Sequence, residues 1–214
     1  MTRRKLALER GRWYTLIFMD VEIKPHELYS PRSTLGPYRA SDYWRLPDDV
    51  PCELIYGRFY VSPSPSPIHQ IVVLLLSEVF LRAARISGGT VFVAPMDTLL
   101  ADHSVVQPDV LYLTAERMGI VKRKVEGSPD VVAEIISPQS GRRDRSEKLR
   151  LYAEAGVREY WIVDPDLRSF EFLVNHEGKF QVAGAIDDRY RSEAFPEVQI
   201  NLAEFWQEVD ARLP

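Results

Sequence analysis

Three consecutive patterns between residues 131 and 163 constrain the fold more than any other part of the chain. Residues 131–136 form an apolar, β-branched run interrupted only by Glu134, which is typical of a strand buried on both faces of a sheet. Residues 144–155 have helical periodicity, and Gly156 is a natural helix stop. Residues 159–163 are again strand-like. This order predicts a βαβ unit, whose two strands lie parallel on either side of a crossover helix.

Shorter patterns elsewhere indicate that antiparallel strands join this unit. Residues 53–61 have strand-forming side chains on either side of Gly57, which predicts a tight hairpin. The Ser-Pro repeat at 62–67 is a loop, because proline has a fixed φ and no N–H to donate. Further predicted elements are a buried helix at 68–86, strands at 91–93, 105–113, 170–174 and 179–182, and a last helix opened by Asn201 and Glu204. The predicted fold class is α/β, a mixed β-sheet flanked by helices.

The composition excludes several classes of protein. The chain has 214 residues, of which 45% are hydrophobic and 27% charged, close to a globular domain and far from a disordered or fibrous chain. Its longest apolar stretch, residues 71–76, is far below the roughly 18 residues of a membrane-spanning helix. The single cysteine, Cys52, excludes an internal disulfide and a thiolate zinc site. We therefore expect a soluble, cytoplasmic protein with no membrane partner.

The charge of the chain gives no strong indication of a nucleic-acid partner. The formal net charge is −4, whereas proteins that bind nucleic acid through charge alone usually carry a large basic excess. Basic residues cluster only locally, at 142–150 and at 122–124. Each cluster is read either as solvated surface or as a contact for phosphate groups.

Residues 1–37 fit the α/β pattern poorly. They contain apolar patches among charges and prolines, and charged residues interrupt what would be the apolar part of an export signal. We expect an N-terminal extension over 1–37, which we interpret as a strand or an arm docked on the partner subunit of a homodimer, and one domain over 38–214.

Two acidic residues can converge if the strands around them pair. An antiparallel register that places Asp109 opposite Glu134 also places residue 113 opposite Asp130, and the connection between the strands is long enough to permit it. Opposed residues have Cβ atoms about 5 Å apart, close enough for both carboxylates to hold one divalent cation. Oxygen ligands select Mg²⁺ or Mn²⁺ over zinc. The alternative is that Asp109 caps a turn and Glu134 pairs with an arginine.

The following helix supplies a cation on one face. Asp144, Lys148 and Tyr152 lie at i, i+4 and i+8. An ammonium group beside a metal-bound water can orient that water or stabilise charge on a phosphoryl group. The alternative for Lys148 is an ordinary salt bridge to Asp144, and Tyr152, like Tyr160 and Trp161, is expected in the core.

The motifs taken together resemble one protein family. They are Pro108-Asp109, the segment from Pro129 through Glu134 to Pro138, the residues Asp144, Lys148 and Tyr152, and the sequence from Gly156 to Trp161. Upstream, the segment from Glu53 to Gly57 and the pair His69-Gln70 agree as well. This pattern, over about residues 38 to 210, resembles the Uma-two family of restriction-endonuclease-like proteins in the PD-(D/E)xK phosphodiesterase superfamily.

The resemblance implies a metal-dependent endonuclease that hydrolyses phosphodiester bonds in DNA. Asp109 and Glu134 would bind Mg²⁺ or Mn²⁺, with Glu53 as a further acidic ligand. The superfamily's lysine lies two residues beyond the second acid, where this chain has Ile136, so Lys148 on the helix would replace it.

Four further residues are candidates for contacts with the substrate or with the ligands: His69, Gln70, Ser137 and Asp144. Two other functions remain open, a non-catalytic metal- or nucleic-acid-binding module on the same fold and a hydrolase for a small phosphodiester.

Overall fold

A computed structural model describes residues 5–9, 12–16, 35–47, 50–62, 64–137 and 141–213. The strands are β1 Lys5–Glu9, β2 Arg12–Leu16, β3 Cys52–Ile55, β4 Arg58–Val61, β5 Thr90–Val93, β6 Thr98–Ala101, β7 Ser104–Val106, β8 Val110–Leu113, β9 Val125–Glu126, β10 Val131–Ile135, β11 Glu159–Asp164, β12 Ser169–His176, β13 Lys179–Ala183, β14 Arg189–Arg191 and β15 Gln199–Asn201. The α-helices are α1 Ala40–Tyr43, α2 Pro67–Ser87, α3 Gly141–Arg143, α4 Leu149–Ala155 and α5 Leu202–Asp210. Asp144–Lys148 is a π-helical turn and Ala115–Ile120 is a 3₁₀ helix.

The chain divides into two compact units. The first comprises Met1–Pro63 with Asp102–Val105. Within it β1 and β2 pair antiparallel, and β3 pairs antiparallel with β4 and, through Leu54 and Val105, with β7. The turn between β3 and β4 has φ of 49° at Tyr56 and 74° at Gly57, and a Cβ on Gly57 would lie 2.5 Å from the Gly36 carbonyl oxygen. Glycine is therefore required here, and the predicted hairpin is confirmed.

The second unit, Ser64–Ala101 with Val106–Pro214, contains a six-stranded mixed sheet. Its strand order is β13-β12-β11-β10-β8-β5. The central strand β10 runs parallel to β11 and antiparallel to β8. The predicted βαβ unit and the predicted α/β fold class with a mixed sheet are confirmed. The predicted division at residues 37 and 38 stays a prediction, and most of residues 1–37 lie outside the described residues.

One face of this sheet is covered by α2 and α5. Alternate strand residues pack against Val72, Leu76 and Phe80 of α2 and against Phe205 and Val209 of α5. By length and composition alone α2 could also cross a membrane, but core helices of soluble proteins meet the same criterion. The helix begins after Ser66, whose hydroxyl accepts a hydrogen bond from the His69 amide, and it ends at Gly88 in the left-handed conformation.

Two predicted elements differ from the structure. The expected strand at 105–113 is divided into β7 and β8, because Pro108 cannot donate to a sheet ladder. The expected helix at 144–155 begins with a π-helical turn before α4, and its predicted stop at Gly156 is confirmed by a φ of 85°.

Asp130 joins the two ends of the connection between β8 and β10. Oδ2 of Asp130 accepts hydrogen bonds from the amide and the hydroxyl of Thr114, at 2.8 and 2.9 Å. Arg117 Nε lies 3.6 Å from Oδ1 of the same carboxylate. Asp130 is 1% exposed, and it fixes the two ends of the connection together at the start of β10.

Candidate active site

The two predicted acids occupy aligned positions at the end of one antiparallel ladder. The ladder between β8 and β10 pairs Val110 with Ala133 and Tyr112 with Val131, so the next position pairs Asp109 with Glu134. Residues 111, 132 and 134 alternate with the residues that face α2, so Glu134 belongs to the opposite face of the sheet, whereas the carboxylate of Asp109, just before β8, reaches His69 of α2. The predicted antiparallel register is therefore confirmed.

Asp109 is held by the adjacent strand and by α2. Its Oδ2 accepts a hydrogen bond of 2.7 Å from the amide of Ile135 and lies 3.2 Å from Nε2 of His69. A carboxylate only accepts, so Nε2 of His69 carries the proton of this hydrogen bond. Nδ1 of His69 is buried and has no hydrogen-bond partner within the described part of the chain. The first turn of α2 thus presents an imidazole to Asp109.

Glu134 is held by two donors from the helical segment that follows it. Its Oε1 lies 2.7 Å from Nζ of Lys148 and accepts a 2.5 Å hydrogen bond from the Tyr152 hydroxyl. Nζ of Lys148 is also 3.9 Å from Oδ1 of Asp144. Asp144, Lys148 and Glu134 are 2%, 4% and 4% exposed, so these charges interact with little screening by solvent. The predicted face of Asp144, Lys148 and Tyr152 is present and buried.

The π-helical turn that carries Lys148 is attached to two strands of the sheet, β11 and β12. The hydroxyl of Tyr160 donates to the carbonyl of Asp144, at 3.2 Å. Arg145 donates a 2.7 Å hydrogen bond to Glu171 of β12, and it lies 3.5 Å from Asp164. Partial burial disfavours the charge of Arg145, but the hydrogen bond and charge of Glu171 outweigh it and raise the pKa of Arg145.

The other predicted site residues lie in different surroundings. Glu53 is buried on β3 of the first unit, opposite Tyr60, and its part in metal binding stays a prediction. Gln70 is exposed. Ser137 follows β10, is half-buried, and its carbonyl accepts a hydrogen bond from Gly141. Pro138 of the sequence motif lies outside the described residues.

Three residues of the two basic clusters form ion pairs at the surface. Lys124, Arg145 and Arg150 form ion pairs with Glu126, Glu171 and Glu154. These contacts favour the interpretation of the clusters as solvated surface at those three positions.

The donor set fits a hard divalent cation. Lys148 lies beside the carboxylates of Glu134 and Asp144, and the carboxylate of Asp109 lies beside His69. Within the described residues no group of three or more His, Cys, Asp or Glu side chains has the spacing of a metal site. Mg²⁺ is usually held by one or two carboxylates, with water and substrate phosphates completing its shell. Asp109 and Glu134 are the pair that matches this requirement.

Sequence reasoning missed two contacts of this site. Tyr152 was expected only in the core, and it is fully buried, yet its hydroxyl reaches Glu134. Its position four residues after Lys148 on the same helical face was the available signal. The contact of Arg145 with Glu171 joins residues 26 apart and had no local signal.

Comparisons with known proteins bear on the family and on the fold. The model of the Uma2 family, described as "Putative restriction endonuclease", matches residues 40–203. The chain is similar to a crystal structure described as a "putative nuclease belonging to DUF820" from Anabaena variabilis, with 18% identity, 81% of this chain and 99% of that chain covered, and a TM-score of 0.69. At that identity the similarity is one of fold. A search of curated proteins finds no match.

Proposed function

This chain belongs to the Uma2 family of restriction-endonuclease-like proteins, and we propose that it is a divalent-metal-dependent endonuclease that hydrolyses phosphodiester bonds in DNA. One observation carries the proposal. The register of β8 and β10 aligns Asp109 with Glu134, and Nζ of Lys148, from the next helical segment, lies 2.7 Å from Oε1 of Glu134. This register and this contact support a site built from three charged groups that are distant in sequence.

Asp109 and Glu134 would hold the cation, which is Mg²⁺ or Mn²⁺ because both ligands are carboxylate oxygens. Such a cation activates water as a nucleophile and polarises the phosphoryl oxygens when it is bound. The Ile135 amide and His69 orient Asp109, while Tyr152 and Lys148 orient Glu134. The ammonium group of Lys148 stabilises negative charge that develops on a phosphate placed beside Glu134.

The test is cleavage of supercoiled plasmid by the full chain in Mg²⁺ or Mn²⁺. We expect nicked and linear products that EDTA abolishes, and a loss of at least about 100-fold in rate for Asp109→Asn, Glu134→Gln and Lys148→Met. Lys179→Met, which removes an exposed lysine of β13, is the matched control and retains the wild-type rate. Cleavage that is equal in Asp109→Asn and in the wild-type chain contradicts the proposal.

A second candidate function is a metal- or nucleic-acid-binding module without turnover. The observation that favours it is the buried ion pair of Lys148 and Glu134, in which the lysine is already engaged. Ile136 also occupies the position of the superfamily's lysine. Calorimetric titration with Mg²⁺ and Mn²⁺ separates the two functions, because a module binds the cation while plasmid remains intact. Cleavage of a model diester with intact plasmid would instead indicate a small-phosphodiester hydrolase.

Three further assignments stay predictions. They are a cytoplasmic location, a homodimer, and an N-terminal extension over residues 1–37. Gel filtration with light scattering tests the dimer, for which a measured mass of twice 24.6 kDa is expected.

A further inference from the structure

We propose that Tyr152 is a positioning residue that fixes the carboxylate of Glu134 for binding a divalent cation. This inference rests on the proposed function, because it concerns the same metal-binding pair. It assigns a role in the site to a side chain that its sequence context places only in the core. The carrying observation is the 2.5 Å hydrogen bond from the Tyr152 hydroxyl to Oε1 of Glu134.

The length of this hydrogen bond is that of a charge-assisted contact. Hydroxyl donors approach ionised carboxylates to about 2.5–2.7 Å, shorter than neutral hydroxyl pairs. The tyrosine therefore holds Oε1 of Glu134 in one place by a short, directional contact. Unlike Lys148, the hydroxyl adds no positive charge that would repel the cation.

The Tyr152 ring is fixed by packing. It is 0% exposed and meets the ring of Tyr160 edge-on, with centroids 4.9 Å apart. Its backbone lies in α4, and its carbonyl accepts a hydrogen bond from Val157 just beyond the end of that helix. A rigid donor of this kind lowers the entropy cost of holding Glu134 in one orientation. Hydrogen bonds to metal-binding carboxylates typically contribute about 10- to 100-fold to metal affinity.

A second hydrogen bond between a buried tyrosine and a buried glutamate lies outside the site and provides a matched control. Tyr190 is 3% exposed, and its hydroxyl donates a 3.1 Å hydrogen bond to Glu159, which is also buried. The Glu159 carboxylate accepts further hydrogen bonds from Trp161 and Ser192 and packs on the α2 side of the sheet. Tyr190→Phe therefore removes a buried tyrosine hydroxyl from a buried glutamate outside the metal-binding pair.

The test is titration of the full chain with Mg²⁺ and with Mn²⁺ in a calorimeter, on the wild type, Tyr152→Phe and Tyr190→Phe. We expect the Kd of Tyr152→Phe to rise about tenfold and that of Tyr190→Phe to stay within about twofold of the wild type. Urea unfolding of the metal-free variants measures the loss of stability, which a purely structural hydroxyl would change without changing Kd. Equal Kd values for Tyr152→Phe and the wild type overturn the inference, while a wild-type chain that binds neither cation overturns the proposed function as well.

A second measurement does not depend on the folding of a variant at position 152. In the wild-type chain labelled with ¹³Cζ-tyrosine, addition of Mg²⁺ is expected to shift the Tyr152 resonance and to leave the Tyr190 resonance in place. The Tyr190→Phe spectrum assigns the Tyr190 signal, and sequential assignment of the wild-type chain assigns the Tyr152 signal. An unchanged Tyr152 signal in Mg²⁺-bound protein contradicts the inference.

Discussion

Nζ of Lys148 lies 2.7 Å from Oε1 of Glu134, and both residues are 4% exposed. A buried ion pair of this kind costs a large desolvation free energy, and removal of one partner leaves the other charge uncompensated. The pair is therefore a weak source of stability. Its role is better understood as preorganisation for the proposed reaction, because it keeps a carboxylate and an ammonium group together at the end of β10.

The ion pair predicts opposite effects of Lys148 on metal binding and on cleavage. Lys148→Met removes a positive charge that competes with the cation for Glu134, so we expect the Kd for Mg²⁺ to fall by about tenfold, or ~1.4 kcal/mol. Cleavage should be lost in the same variant. Calorimetry and the plasmid assay measure the two effects, with Lys179→Met as the control. Weaker binding of Mg²⁺ by Lys148→Met would contradict this prediction.

The contacts of Asp109 predict that its amide and alanine variants differ in stability. Asparagine retains an oxygen that can accept from the Ile135 amide, so Asp109→Asn should change the free energy of unfolding by less than about 1 kcal/mol. Asp109→Ala leaves that amide without an acceptor and should cost about 1–3 kcal/mol. Both variants should lose affinity for Mg²⁺. Urea unfolding without metal checks the difference, and equal losses of stability in the two variants would refute it.

The attachment of the π-helical turn to β12 predicts a local effect of Arg145. Arg145→Met removes the hydrogen bond to Glu171, so amide exchange over residues 141–148 should become faster. The free energy of global unfolding should change by less than about 1 kcal/mol, because both side chains are partly exposed. Arg150→Met, whose partner Glu154 is on the same helix, is the control. Equal exchange in Arg145→Met, Arg150→Met and the wild type would show that the contact does not hold the turn.

The buried tyrosine of β8 predicts a loss of stability at alkaline pH. Burial raises the pKa of Tyr112 to about 12, from about 10 in an unfolded chain. Its contribution to stability is therefore complete below about pH 10 and is lost as the pH rises through about 12. Between pH 9 and pH 11 the wild type should lose about 1 kcal/mol more than Tyr112→Phe, measured by urea unfolding. Tyr60→Phe, at a partly buried position of β4, should keep the wild-type dependence; identical curves for wild type and Tyr112→Phe would rule out the effect.

The parts of the site that depend on regular geometry could be predicted from the sequence. Antiparallel pairing and the length of the connection were enough to place Asp109 opposite Glu134. Helical spacing was enough to bring Asp144 and Lys148 to one face, because a π-helical turn keeps residues four apart on nearly the same side.

Contacts made by irregular backbone could not be predicted in the same way. The π-helical turn has no sequence signature, and the contact of Arg145 with Glu171 depends on how the crossover helix lies on β12. The position of His69, in the first turn of α2 beside Asp109, depends on the path of the loop at 62–67. A proline pattern does not specify that path. The break between β7 and β8 did have a signal, the proline at 108, and it was outweighed by the valines and leucines around it.

Asp130 has a consequence for how this domain can diverge. Because its carboxylate ties Thr114 to the start of β10, the fifteen or so intervening residues begin and end at one fixed point. Asp130 thereby separates changes in this connection from Asp109 and Glu134, which lie at the other end of the β8–β10 ladder. The 3₁₀ segment Ala115–Ile120, which has no buried residue, can therefore vary without shifting the register of β8 and β10, whereas β9 of the same connection is held by its pairing with β6.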